Sequence, residues 1–178
     1  MVETFRYRNL RSLRPEDAQG MLRWMHHPET AECFRQNFDS MSESDVLDFI
    51  QKSYDRSESL HLAITGSDDT YLGTISLKHI DNNFSGEYAI SMAPEAKGTG
   101  AAEQATESLL DYAFCELGLH RVYLNVRRNN SRAIRFYEKI GFTLEGTARD
   151  ALCTAEGYVD LLWFSMLKPE WDRKSNSF

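Results

Sequence analysis

The sequence predicts an α/β fold built on one mixed sheet, and three observations predict it. Three short apolar runs, LHLAIT, YLGTISLKHI and EYAISM, are separated by polar turn residues, which reads as an antiparallel meander. An alternating run, a glycine turn, a long apolar-striped segment and a second alternating run then follow in order. That sequence is the mark of a right-handed crossover between parallel strands. Finally, FTLEGTARDALCT and GYVDLLWFSML flank Ala155-Glu156-Gly157 as a closing hairpin.

The elements can be taken in chain order. Phe5 to Leu13 reads as a strand, and Arg14-Pro15-Glu16-Asp17 opens a helix that runs to about His26, with Met21, Leu22, Trp24 and Met25 on its core face. Pro28 interrupts it. Ser42-x-x-Asp45 caps a second helix carrying Val46, Leu47, Phe49 and Ile50, and the two helices are expected to form an αα hairpin. In Gly100 to Leu117, the residues Ala101, Ala105, Leu109, Ala113 and Leu117 recur every fourth position as one helical stripe. Gly118 ends that helix, and Val122, Leu124 and Val126 alternate in the next strand. A short helix then runs from Asn130 or Ser131 to Gly141. The polar tail is expected to fray beyond Trp171.

Composition narrows the class. A chain of 178 residues that is 42% hydrophobic can bury one core, so a single domain is expected, with a polar tail over about 170–178. The 27 acidic residues outnumber the 20 basic ones to give a net charge of −7, a field that repels nucleic acid and anionic membranes. No segment has the length of apolar sequence that a membrane span needs, and a cytoplasmic location is expected. Cys33, Cys115 and Cys153 are far apart and lack ligand spacing, so free thiols and no metal site are expected.

Two stretches carry the chemistry. Lys97-Gly98-Thr99-Gly100-Ala101-Ala102 can form a glycine turn whose backbone amides and helix start suit an anion, with Thr99 available to cap the helix or to donate its hydroxyl. Asn129 to Phe142, NNSRAIRFYEKIGF, reads locally as a capped amphipathic helix. In this order and spacing the two stretches resemble the GCN5-related N-acetyltransferase (GNAT) superfamily, best over about Leu60 to Leu167. Thr143-Leu144-Glu145-Gly146 and Gly157-Tyr158-x-Asp160 resemble the branch of ribosomal-protein N-terminal, spermidine and amino-sugar-nucleotide N-acetyltransferases.

The resemblance implies a mixed sheet of about seven strands with about four flanking helices. It would splay open between the strand ending at Met92 and the strand from His120 to Val126, with acetyl coenzyme A in the gap. By the same resemblance, Ile90, Ser91 and Met92 would offer backbone groups to the thioester and pantetheine arm, while Lys97, Gly98, Thr99, Gly100, Ala101 and Ala102 would hold the pyrophosphate. Asn130, Ser131, Arg132 and Ala133 would touch the coenzyme from the far side, and Tyr137 would point at its sulfur. Set against the family pattern Gln/Arg-x-x-Gly-x-Gly/Ala, position 95 is a departure, because Glu95 stands there.

Acetyl transfer from a thioester to an amine needs a neutral amine, a donor for the developing oxyanion and a proton for the departing thiolate. Tyr137 is the candidate acid and Glu87 the candidate base. His27, Glu32, Phe34 and Tyr158 are candidate acceptor contacts, with His26 and Glu29 in the same segment as His27. The acceptor is a protein N-terminus, a polyamine or an amino sugar, and a homodimer is consistent with the resemblance. A coenzyme A-binding sensor or interaction module on the same fold remains the alternative.

Overall fold

The computed structural model describes residues 4–28, 38, 40–154 and 157–175. Its strands are β1 (Arg6–Tyr7), β2 (Leu10–Ser12), β3 (Leu60–Thr65), β4 (Tyr71–Asp81), β5 (Ser85–Met92), β6 (Arg121–Arg127), β7 (Thr143–Thr154) and β8 (Gly157–Leu167). The helices are α1 (Ala18–Met25), α2 (Glu43–Lys52), α3 (Ala101–Asp111), α4 (Ser131–Ile140) and α5 (Lys168–Ser175). One sheet runs in the order β1-β2-β3-β4-β5-β6-β8-β7, antiparallel throughout except at β5–β6.

Among the described residues there are eight strands rather than about seven, because the expected first strand is a hairpin. Tyr7 pairs with Leu10 across a two-residue turn in which Arg8 takes φ 53°. The Tyr7 hydroxyl and the Arg8 guanidinium both donate to Asp111 Oδ2, at 2.7 and 2.6 Å, so the turn is tied to the end of α3. Helix α5 corrects the expected fraying beyond Trp171 as far as Ser175. Glu170 accepts the Leu167 N–H at 2.8 Å, Trp171 packs on Phe114, and Lys174 Nζ donates to the Ile140 carbonyl at 2.9 Å.

The sheet is covered on both faces. On one face, α1 and α2 bury Met21, Trp24, Val46 and Ile50 against Ala63 and Tyr71. The Ser42/Asp45 capping box forms as the sequence predicts. On the other face, α3, α4 and α5 bury Leu109, Phe114, Ile140 and Trp171 over Leu62, Ile75, Val122 and Phe164. The stripe from Ala101 continues to Glu116, but its last turn, Tyr112–Glu116, widens to a π-helix before Gly118. No helix among the described residues is long and apolar enough to cross a membrane.

Candidate active site

The sheet opens in its middle. β5 and β6 pair only at Ser85–Arg121, Gly86–Val122 and Glu87–Tyr123, while β5 stays paired to β4 as far as Met92 and β6 to β8 as far as Arg127. Each strand follows its own half-sheet, so Tyr88–Met92 and Leu124–Arg127 border a gap at the carboxyl ends of two parallel strands. Backbone N–H groups alternate sides along a strand. Since Ala93 N donates to Leu72 O of β4 at 2.8 Å, the N–H groups of Ile90 and Met92 turn into the gap.

At the end of β5 a 3₁₀ turn, Pro94–Ala96, leads to the glycine turn. Gly98 and Gly100 take φ +81° and +85°, a region that L side chains rarely adopt, and a Cβ at either would meet nothing within 4 Å. Open space of this kind beside a helix start is room for a ligand. The N-cap is Gly100, not Thr99: the Thr99 hydroxyl donates to Ala96 O at 2.8 Å and accepts from Ala101 N at 3.4 Å, which shapes the loop. The first N–H groups of α3 have no intrahelical acceptor and lie at the positive end of its dipole. Glu95 faces elsewhere, paired with Arg23 of α1 at 3.3 Å. Counted back from Gly100 and Ala102 instead of from Gly98 and Gly100, the pattern would begin at Lys97, a lysine where the family has Gln or Arg.

On the α3–α4 face, Tyr137 is buried with its ring 5.9 Å from that of Tyr88, edge to face, and 5.9 Å from that of Phe142. Tyr88 and Thr106 share a hydrogen bond at 2.8 Å, and burial pushes the Tyr88 phenol well above its ordinary pKa, with Tyr137 adding to the shift. Asn130 caps α4 by accepting the Ala133 N–H at 3.1 Å, while Ser131 and Arg132 are exposed at its start. Lys139 and Glu103, 2.6 Å apart, tie α4 to the first turn of α3.

Glu87 lies on the opposite face, at the last paired rung before the gap. Lys78 Nζ donates to its Oε1 at 3.4 Å, Asn125 Nδ2 donates to the same oxygen at 3.5 Å, and His79 Nε2 is 3.6 Å from Oε2. Glu87 thus borders the gap on one side of the sheet, and on the other the Tyr137 ring packs on Tyr88.

Beyond Glu87 on that face, α1 and α2 wall a half-open cavity of about 180 Å³. Its walls are Met21, Trp24, Met25, Phe38, Met41 and Phe49, and its floor is Thr74, Ser76, Ala89, Ile90 and Ser91, with His61 and Lys78 at the side. His61 Nδ1 is 2.8 Å from Ser76 Oγ, and burial, helped by Lys78, lowers its pKa to about 4. None of these wall residues, nor His61 and Lys78, stood out as site residues in the sequence. The signal was available, because His61, Ser76 and Lys78 are polar positions on a strand face that a helix covers.

The remaining sequence candidates separate. His27 is half-buried next to α1, and among the described residues its Nδ1 has no partner; His26 Nε2 is 3.1 Å from Met41 O. Tyr158 stands 71% exposed on the β7–β8 hairpin, outside both hydrophobic clusters. Glu29, Glu32 and Phe34 lie outside the described residues, as does Cys33; Cys115 and Cys153 are free and exposed.

A mixed sheet opened between two parallel strands, with a glycine-led helix at one side of the gap and a tyrosine-bearing helix at the other, defines an enzyme of the N-acyltransferase class. The chain belongs to the GNAT acetyltransferase family, whose domain profile, "Acetyltransferase (GNAT) domain", matches residues 8–143. It is 31% identical over 140 residues to the spermidine N(1)-acetyltransferase of Escherichia coli (strain K12), covering 77% of this chain and 73% of that protein. It is 38% identical over 106 residues to YdaF of Bacillus subtilis (strain 168), whose name places it with the ribosomal N-acetyltransferases. That match spans 59% of this chain and 58% of YdaF. The crystal structure of spermidine N-acetyltransferase from Vibrio cholerae in complex with CoA and spermine superimposes with a TM-score of 0.83 at 24% identity, over 91% of this chain and 96% of that one.

Proposed function

We propose that this protein transfers an acetyl group from acetyl coenzyme A to a primary amine by direct attack. The observation that carries the reading is the gap itself, reached by α3 and α4 from one face and by Glu87 and the cavity from the other. Acetyl coenzyme A supplies an acyl carbon activated as a thioester. Gly98, Gly100 and the first amides of α3 hold its pyrophosphate, a role the open space at both glycines fits. Lys97 adds positive charge to that turn, and Asn130 to Ala133 border the coenzyme from the start of α4.

The N–H groups of Ile90 and Met92 are already aimed into the gap, so they stabilise the oxyanion without reorganisation. Glu87 accepts the amine proton, directly or through water, with Lys78 and Asn125 fixing its carboxylate. Tyr137 gives a proton to the departing sulfur. The relatives named for spermidine and ribosomal N-acetylation support an amine acceptor. Glu95 pairs with Arg23 of α1, which supports the transferase reading over a catalytically silent sensor.

The test is to incubate the protein with acetyl coenzyme A and a panel of primary amines, following free thiol release, with coenzyme binding measured by calorimetry. Saturable, amine-dependent release is the expected result. Binding of the coenzyme without release for any amine would overturn the reading.

A further inference from the structure

The cavity under α1 and α2 says which kind of amine enters. Its walls are three methionines, two phenylalanines and a tryptophan, and its floor is Ala89, Ile90 and three hydroxyl residues, of which Thr74 is hydrogen-bonded to Tyr71 and Ser76 to His61. Among the described lining residues there is no carboxylate. The one cation, Lys78, is engaged with Glu87 at 3.4 Å, and His61, edge to face with Phe49 at 4.9 Å, is uncharged near neutral pH. A second ammonium group drawn into this space would lose its hydration against thioethers and rings, with no counter-charge among the described lining residues. An apolar group would lose nothing. The volume, about 180 Å³, is of the size that accepts one ring, since an apolar cavity of about 150 Å³ holds benzene.

Resting on the acetyltransferase reading above, we propose that the acceptor is a primary amine bearing one uncharged apolar group of aromatic or branched aliphatic size. The group enters the cavity between α1, α2 and β5 while the amine stays at the gap beside Glu87. Ile90 and Ser91 join the two halves, being at once cavity floor and part of the stretch of β5 that has parted from β6. Phe49 of α2 sets the preference, because its ring closes the wall over His61.

The experiment compares kcat/KM for Leu-Gly-Gly and Phe-Gly-Gly amides, a Gly-Gly-Gly amide and spermidine, using the unaltered protein and a Phe49→Glu variant, with coenzyme A affinity measured alongside. The apolar peptides should exceed both the glycine peptide and spermidine by about tenfold or more, the lower end of what an apolar group contributes in a fitted pocket. Phe49→Glu should cancel that advantage and raise spermidine, with the affinity for coenzyme A unchanged. Spermidine or the glycine peptide matching the apolar amines would overturn the proposal and leave the acetyltransferase reading standing. Coenzyme binding with no transfer to any of the four would overturn both.

Discussion

Replacing Tyr137 by Phe removes one hydroxyl while the ring keeps its contacts with Tyr88, Phe142 and Phe164 at 5.9, 5.9 and 6.3 Å. If that hydroxyl is the acid, the loss falls on turnover beyond any change in stability. A thiol is far more acidic than an alcohol (about 8.5 for cysteine), so a thiolate is already a fair leaving group and its proton is worth less than one given to an alkoxide. We expect kcat to fall about ten- to a hundredfold, the lower edge of what a positioned acid contributes, with little change in the affinity for coenzyme A. That fall corresponds to about 1.4–2.7 kcal/mol of transition-state stabilisation. Tyr88→Phe is the internal control. It deletes a hydroxyl from the facing ring, but one bonded to Thr106 of α3, so it should cost about 1 kcal/mol of stability and leave kcat nearly unchanged. Stopped-time thiol release at saturating acetyl coenzyme A, with urea unfolding of each variant, separates the two effects. Unchanged kcat in Tyr137→Phe, or an equal loss in Tyr88→Phe, would refute the assignment of the acid.

Three further outcomes follow from the geometry. Gly100→Ala places a methyl in open space at φ +85°, so unfolding should show a loss of about 1 kcal/mol, while calorimetry should show coenzyme A affinity weakened about tenfold; unchanged affinity would detach this turn from the coenzyme. Asp17→Ala strips Arg11 of the carboxylate that receives two of its N–H groups at 2.7 and 2.9 Å in a nearly fully buried pair, and because Asp69 remains 3.3 Å away the cost should be about 3 kcal/mol by urea unfolding, the lower end for such pairs. His61 is held neutral, with a folded pKa of about 4 against 6.5 unfolded, so its contribution is complete above pH 6.5 and is lost as pH falls towards 4; His61→Gln should flatten the decline of Tm across that window, and an identical decline in both proteins would show that other groups cause it.

The contrast between elements shows what a one-dimensional reading can reach. The capped helix at Glu43–Lys52, the four-residue stripe of α3, the meander of β3, β4 and β5 and the closing hairpin were all legible, because caps, stripes and turns join residues a few positions apart. The Phe5–Leu13 stretch was misread as one strand because its reversal at Arg8 is settled by Asp111, more than a hundred residues away. The tail was misread for the same reason, as α5 is held by Phe114, Glu107 and the end of α4.

By itself the sequence determined the order of strand, glycine turn, helix and strand, together with the pairing of motifs that resembles one acetyltransferase family. Only the tertiary structure decided where the sheet parts, after three rungs of β5 with β6, and that Glu87 and Tyr137 lie on opposite faces of the sheet. It also decided that Glu95 pairs with Arg23, and that a methionine- and aromatic-walled cavity lies over the end of β5 that has parted from β6. The physical reason is range. Local periodicity records which face of an element is apolar, whereas the gap and the cavity arise from register between strands and from helices packed across them, and Glu87 meets Asn125 across 38 residues of chain only when both are in place.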